Sequence, residues 1–593
     1  MESFDGDAQQ DILASRISEL VSLGNKGEAL TLLQEDKYRK FVEGNCWELI
    51  PVLTKHLSET TAATSPQLFD CSCTLLQEIA ERSNPKEALI GFLEEAEDKE
   101  NHVKFLALLD PLRRVLLRFP SRRAQSLELC LEVIESHLDS LALPKNHVLE
   151  GEERLLLDAD PCVEKIAETY SELITFYEPF ATDFSVDYCK FLDVANRSER
   201  IVLITHLLRI LGKPLAYLDM DCDDTAKSAS RNIAEKLLAY LNLLVNDLFI
   251  FLAAVEEKET TINEDSCADV THGSHSCIVD CNVNALSFSM LYYLLLGEGV
   301  NLDSVPLVYD VLYVFQRVLY LAAFLLRQPS HLLVHKGLRL ASAVLVRLPR
   351  GEVPSELLDS PNHKHFAQSL CNILIYSEQK ENRLSALKIL KMYLFIFDHK
   401  GRYLLMCNLP EVCNHDGAME LLVVTFKDMI YEANNGGGAP CSKYFMGGHL
   451  RSLLLSLSAL THGVESDLVE TAKQILASLN LVRFLILYDK EGLLGVREAL
   501  PELEQRLLEP LKQGITLSRA HYELKLKDLK EEYVQNVKLK DSRVSLTVGE
   551  KILPNLPMES KVTFLKSALQ CFDLMEFSLG QVHDCMRESS LKK

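Results

Sequence analysis

The sequence has no uninterrupted apolar run long enough to cross a bilayer. Its most apolar stretches, Leu291 to Leu296 and the residues around Val311 to Leu326, are broken by polar or charged residues before they reach the roughly 20 positions a spanning helix needs. A positive surplus is missing too. At a net charge of −23, the phosphate-neutralising attraction behind nucleic-acid binding becomes repulsion overall. Neither a membrane nor a nucleic acid is therefore expected as a partner. The opening residues, MESFDGDAQQD, are acidic and polar, and no charged-then-apolar export signal follows them. Without such a signal the sixteen cysteines, Cys130, Cys371 and Cys571 among them, are expected as buried free thiols. The expected compartment is the cytoplasm, with a nuclear pool reached through a partner. Tryptophan occurs once, at Trp47, where its large area makes a core anchor the simplest reading.

Motifs that carry chemistry are equally scarce. NNGGGAP, Asn434 to Pro440, lacks the lysine and Ser/Thr of a phosphate-binding loop and follows no strand. No serine sits at a strand-to-helix elbow. Cys267, His272, His275, Cys277 and Cys281 are zinc-type donors, but their spacing is not that of a closed site. No catalytic residue, cofactor or metal is expected.

What the chain does have is helical period almost throughout. Leu468, Ala472, Ile475, Leu479, Val482 and Ile486 recur at three- and four-residue steps, and Leu476, Leu481, Phe484 and Leu485 widen the stripe. This predicts a nearly sheathed helix from Glu465 to Lys490, capped by Ser466. In SNPKE, Asn84 is placed as a helix cap, Pro85 as the first helical residue and Glu87 as the residue reaching back to the cap. Pro111 is expected to kink or end its helix. One long helix is expected from about Ala226 to Val255. VSLTV, Val544 to Val548, alternates and is followed by Gly549, which predicts the one small β-hairpin.

The fold expected is all-α: an irregular HEAT-like helical-repeat superhelix, an α-solenoid in two halves, with at most one small hairpin near the C-terminus. Residues 1–255 form an N-terminal repeat region. Residues 256–284 are polar, acidic and aperiodic and read as a flexible linker. Residues 285–593 form a C-terminal HEAT-like, partner-binding domain.

Four segments together carry a family resemblance: NPKE, Asn84 to Glu87; ESDLVETAKQILASLNLVRFLILYDK, Glu465 to Lys490; ITLSRAHYELKLKD, Ile515 to Asp528; and ILPNLPMESKVTFLKSALQCFDLMEFSL, Ile552 to Leu579. In these the chain resembles the glomulins, and most strongly over the last two hundred residues. The resemblance implies a helical-repeat protein, monomeric by itself. It implies a non-enzymatic inhibitor that binds the RING domain of the RING-box subunit in cullin–RING ubiquitin ligases and competes with the ubiquitin-conjugating enzyme. It places the contact in the C-terminal half, and so on Arg402, Tyr403, Asn414, His415 and Lys427 of the stretch His399 to Ile430. Arginine, tyrosine and histidine close together suit an interface hot spot. The plainer reading of Asn414 and Asp416 is helix capping. A function of another class is also compatible with the pattern: a solenoid adaptor or transport-receptor-like scaffold that binds basic peptides or several partners along an acidic face.

Overall fold

The structure is a computed structural model. It describes residues 13–44, 46–119, 123–145, 159–184, 194–220, 222–223, 226–264, 283–304, 308–413, 415–435, 443–460, 462–536, 546–548, 551–553 and 558–591. The fold is all-α helical repeat. The chain forms two compact units, Met1–Val344 and Leu345–Lys593, a division further along than the 256–284 linker read from composition. Residues 265–282, with the cysteine–histidine group of that segment, lie outside the described residues.

The N-terminal unit opens with α1 (13–22), α2 (Lys26–Gln34), α3 (Asp36–Gly44), α4 (Cys46–Thr54), α5 (Glu59–Thr64), α6 (Pro66–Arg82), α7 (Pro85–Ala96), α8 (His102–Leu117) and α9 (Arg123–Ser140). It continues with α10 (Pro161–Asp183), α11 (Val194–Ile210), α12 (Ala229–Leu244), α13 (Phe251–Glu264), α14 (Ala285–Tyr292), α15 (Val311–Leu326) and α16 (His331–Leu345), the last ending at the boundary. Helices alternate between two rows. One row runs α4, α7, α9, α11, and the other α2, α6, α8, α10, α12, each helix packed on the next. Apolar residues such as Leu49, Phe92, Phe105, Leu131 and Leu173 fill the space between rows. An apolar stripe at helical spacing has no other way to leave water than against a neighbouring helix.

Several local expectations change. Asn84 caps α7 by accepting from Lys86 N at 3.1 Å, but the Asn84 amide donates to the Glu43 carbonyl at 3.0 Å, so Glu87 does not close the reciprocal half of the box. Helix α8 runs through Pro111, which is buried with Leu108, Leu112 and Val115, so packing outweighs the lost backbone bond. The long helix expected over 226–255 is two, α12 and α13, set at 88°. The break falls at Asn246–Asp247, where Asp247 Oδ1 accepts from Phe249 N at 2.9 Å and starts a new turn. A second miniature hairpin, Cys222–Asp223 against Ala226–Lys227, precedes α12 and was not foreseen. Trp47 is no core anchor: it is 53% exposed, while Leu49 and Ile50 of the same helix are fully buried.

Two features of this unit have measurable consequences. A Cβ on Gly337 of α16 would lie 2.9 Å from Leu325 Cβ and 3.2 Å from the Leu326 amide nitrogen. Gly337→Ala is expected to destabilise the unit by about 1–3 kcal/mol through this overlap, although alanine favours a helix by about 1 kcal/mol. Chemical denaturation that finds equal or greater stability would show that the helices separate freely. The second feature is the buried pair His102 and His137, whose rings meet at 3.1 Å between Nδ1 and Nε2. Burial, with Lys165 nearby, pulls both imidazoles down to about 4. The unfolded chain therefore takes up protons first, near 6.5. Stability is full above that pH and falls as pH drops towards 4, by on the order of 3 kcal/mol per ring. Denaturation at pH 7 and pH 5 should reveal the loss, and His102→Gln with His137→Leu should flatten it.

The C-terminal unit repeats the two-row plan. It comprises α17 (Pro361–Tyr376), α18 (Lys380–Ile396), α19 (His399–Val412), α20 (Asp416–Asn435), α21 (Gly447–Ser458), α22 (Ala472–Tyr488), α23 (Val496–Leu503), α24 (Glu509–Asn536) and α25 (Met558–Leu591). One row is α17, α20, α22, α25, and the other α18, α19, α21, α23. The long α24 packs along α25. The predicted hairpin is present, with Leu546–Val548 antiparallel to Lys551–Leu553. Cys371 of α17 is joined to Cys413 at the end of α19, which corrects its reading as a free thiol. Cys130 and Cys571 are free. The two joined cysteines are far apart in sequence and are brought together only by the packing of α17 on α19.

Candidate functional site

The helix predicted from Glu465 begins later, at Ala472. Ser466 does not cap it; its hydroxyl accepts from His462 N at 3.0 Å. The start of α22 is capped instead from a neighbour, as Asp416 Oδ1 accepts from Gln474 N at 2.8 Å. This contact ties the first turn of α20 to that of α22 and holds the two helices side by side. The α20–α22–α25 row presents one outward surface.

On α20 that surface carries Val424, Lys427 and Tyr431, spaced three and four apart so that they share a face. On α22 it carries Phe484, Leu487 and Tyr488. The Lys427 ammonium lies 5.9 Å from the Phe484 ring centre; the Phe484 ring stacks on Tyr488 at 5.1 Å, and the Tyr431 ring is tilted against Tyr488 at 6.0 Å. Arg483 bridges to α25 by donating to Gln581 Oε1 at 2.7 Å. Beyond it α25 exposes Leu574 and Phe577, the latter 65% accessible. Aromatic and aliphatic groups open to water, with a lysine and an arginine among them, are the usual constituents of protein-contact hot spots.

The five residues carried over from the family do not converge. Arg402 is 1% exposed and belongs to the core. Its guanidinium donates to the carbonyls of Phe397 and Phe395, both at 2.8 Å, and to Glu432 Oε1 at 3.2 Å. Tyr403 is half-buried on the other row, beside Tyr444 and His449 at 5.8 and 4.9 Å between ring centres. Asn414 lies outside the described residues. His415 is exposed and acts as a cap, its Nδ1 accepting from Gly417 N at 3.2 Å. It sits about 18 Å along α20 from Lys427 at 1.5 Å per residue. Lys427 alone takes part in the aromatic surface. Tyr431, Leu487, Tyr488, Leu574 and Phe577 were missed, and Phe484 was assigned to the sheathed stripe. The i,i+4 pairs Lys427–Tyr431 and Phe484–Tyr488 were the only available signal, and period alone does not say which side of a helix faces water.

The N-terminal unit holds an arrangement that resembles catalytic machinery. Tyr177 Oη lies 2.7 Å from His206 Nε2, and His206 Nδ1 lies 2.8 Å from Glu135 Oε1. Tyr177 and His206 are, however, buried within the stack, and burial lowers the imidazole's affinity for a proton. The relay therefore links α9, α10 and α11 and offers no reachable nucleophile. Among the described residues no group of three or more His, Cys, Asp or Glu is placed to hold a metal ion.

A family described as "Uncharacterised protein family, YAP/Alf4/glomulin" matches residues 286–559. The chain is 25% identical to glomulin of Mus musculus over 584 residues, covering 96% of this chain and 92% of that protein. It is 26% identical to glomulin of Homo sapiens over 574 residues, covering 95% and 91%.

Proposed function

We infer that this chain, a member of the glomulin family, is a non-enzymatic inhibitor of cullin–RING ubiquitin ligases that acts in the cytoplasm. In this reading the C-terminal unit seats the RING domain of the RING-box subunit on the outward surface of α20, α22 and α25. The observation that carries the reading is the aromatic–cationic surface around Lys427, Tyr431 and Phe484, in a chain alike to glomulins over nearly its whole length. A RING recruits its conjugating enzyme through a small, partly apolar patch. A rigid helical row with exposed rings can cover such a patch without rearranging, which keeps the ordering cost of association low. An interface of ordinary size, roughly 1,200–2,000 Å² in total, then suffices for tight binding if a few rings are buried deeply. Inhibitor and conjugating enzyme compete for one surface, so ubiquitin transfer falls without any chemistry by the inhibitor.

The test is a reconstituted reaction with the full chain, a RING-box–cullin complex, conjugating enzyme and ubiquitin. Chain formation should fall with dose and recover when conjugating enzyme is raised. Undiminished chain formation at inhibitor concentrations well above those of the ligase would exclude the reading.

A further inference from the structure

The exposed tryptophan of the N-terminal unit takes no part in the surface described above. Gly91 of α7 lets α4 approach closely: a Cβ there would sit 3.5 Å from Trp47 Cα. Trp47 thus stands beside the outward stripe of α7, formed by Glu87, Ile90, Glu94 and Glu97 at three- and four-residue steps. Ile90 is 59% exposed. On the other side of α7 a groove of about 410 Å³ runs between α7 and α9, its lining including Leu93, Glu97, Lys99, Leu129, Glu132 and Val133. Leu129 is 49% exposed. Three consecutive helices of one row therefore each present a large apolar side chain to water, Trp47, Ile90 and Leu129. Carboxylates border them. Glu94, Glu97 and Glu132 are exposed and form no ion pair among the described residues, and there Glu87 keeps one oxygen buried without a hydrogen-bond partner. Lys99 is the cation within the groove lining, and Lys86 stands exposed at the start of α7.

We propose that this face of α4, α7 and α9 is a docking groove for a basic amphipathic helix of a partner protein. The geometry fits a helix lying across the row. Neighbouring helices pack 8–10 Å apart, and residues seven apart on a crossing helix are about 10.5 Å apart, so its apolar side chains can meet each row member in turn. Arginines and lysines flanking that stripe would face the carboxylates, and a guanidinium or ammonium can also stack on the Trp47 ring. The charge favours a basic over an acidic partner, because the exposed carboxylates Glu94, Glu97 and Glu132 outnumber the one lysine, Lys99, that lines the groove. This inference does not rest on the RING reading, which concerns the other unit.

Trp47 is the single tryptophan of the chain, so tryptophan emission from the full-length protein reports on this site alone. The probe is a synthetic peptide of about sixteen residues, roughly four helical turns, with leucines at helical spacing and arginines between them. Titration should shift Trp47 emission to the blue and saturate with a Kd of about 1–100 µM. Glu94→Lys and Ile90→Ala, both at exposed positions, should each weaken binding by about tenfold or more, measured by calorimetry as well as emission. A peptide with glutamates in place of arginines should leave the emission unchanged. The proposal is overturned if the basic peptide produces no shift up to about 1 mM, or if the acidic peptide works as well. It is equally overturned if the variants bind like the parent, or if emission shifts on concentrating the protein alone, which would make a second copy the occupant.

Discussion

Arg402→Ala is expected to lower the unfolding free energy of the C-terminal unit by about 2–4 kcal/mol, the cost of removing a buried guanidinium and leaving its backbone carbonyl partners without their charged donor. The guanidinium lies where the end of α18, the start of α19 and the last turns of α20 meet. It holds the Phe395 and Phe397 carbonyls at the end of α18, pairs with Glu432 of α20, and lies 5.0 Å from the Phe395 ring centre. Each of these is a different kind of loss. The Phe397 carbonyl loses its guanidinium donor in a buried place, the helix end loses a favourable charge, and Glu432 is left with Arg350. Glu432 is partly exposed and can rehydrate, which pulls the expected cost towards the lower end of the range. Arg402→Lys keeps the charge but not the planar fork, so it should recover only part of the stability. Urea denaturation of the full chain decides the matter. Unchanged stability combined with weakened RING binding would return Arg402 to a contact role.

The second large effect concerns binding. Tyr431→Ala together with Phe484→Ala should weaken inhibition of ubiquitin-chain formation by about 30- to 1,000-fold, the range of interface hot spots at roughly 2–4 kcal/mol. Lys427→Glu should act in the same direction, since it reverses the charge set over the Phe484 ring. Both changes lie at least partly on the outward surface and should cost the unit little stability, about 1 kcal/mol or less. Tyr403→Ala provides the control. It lies on the other row against Tyr444 and His449, and inhibition should stay within about threefold of the parent. If Tyr403→Ala abolishes inhibition and the Tyr431/Phe484 pair does not, the RING would sit on the α19–α21 row instead.

The distance between Arg402 and Lys427 in their final roles illustrates what a linear reading can reach. His399, Lys400, Arg402 and Tyr403 are close in the chain, and closeness of such residue types invites a joint function. On a helix each step turns by about 100°, so adjacent side chains leave in different directions. Arg402 turns inward, Tyr403 meets α21, and neither shares a surface with Lys427. Trp47 was misread for a related reason. Its apolar area says that burial would be favourable, but not whether a neighbouring helix is there to provide it. The prolines tell the same story in reverse: Pro111 lies inside α8 because buried neighbours hold that helix together.

The amino-acid sequence by itself determined the class of fold and most of its helices, though not where every helix breaks or begins. Apolar residues at the 3.6 period over nearly the whole chain admit only helices that bury one stripe against others, and the small hairpin followed from its alternating pattern and glycine. It also carried the family resemblance, which lies in combinations of core and capping residues. The tertiary structure alone decided which helices stand in one row, where the chain divides into units, and which apolar side chains remain in water. These are properties of packing: whether Trp47, Tyr431 or Phe577 is covered depends on a neighbour supplied from elsewhere in the chain, and no local pattern encodes that neighbour.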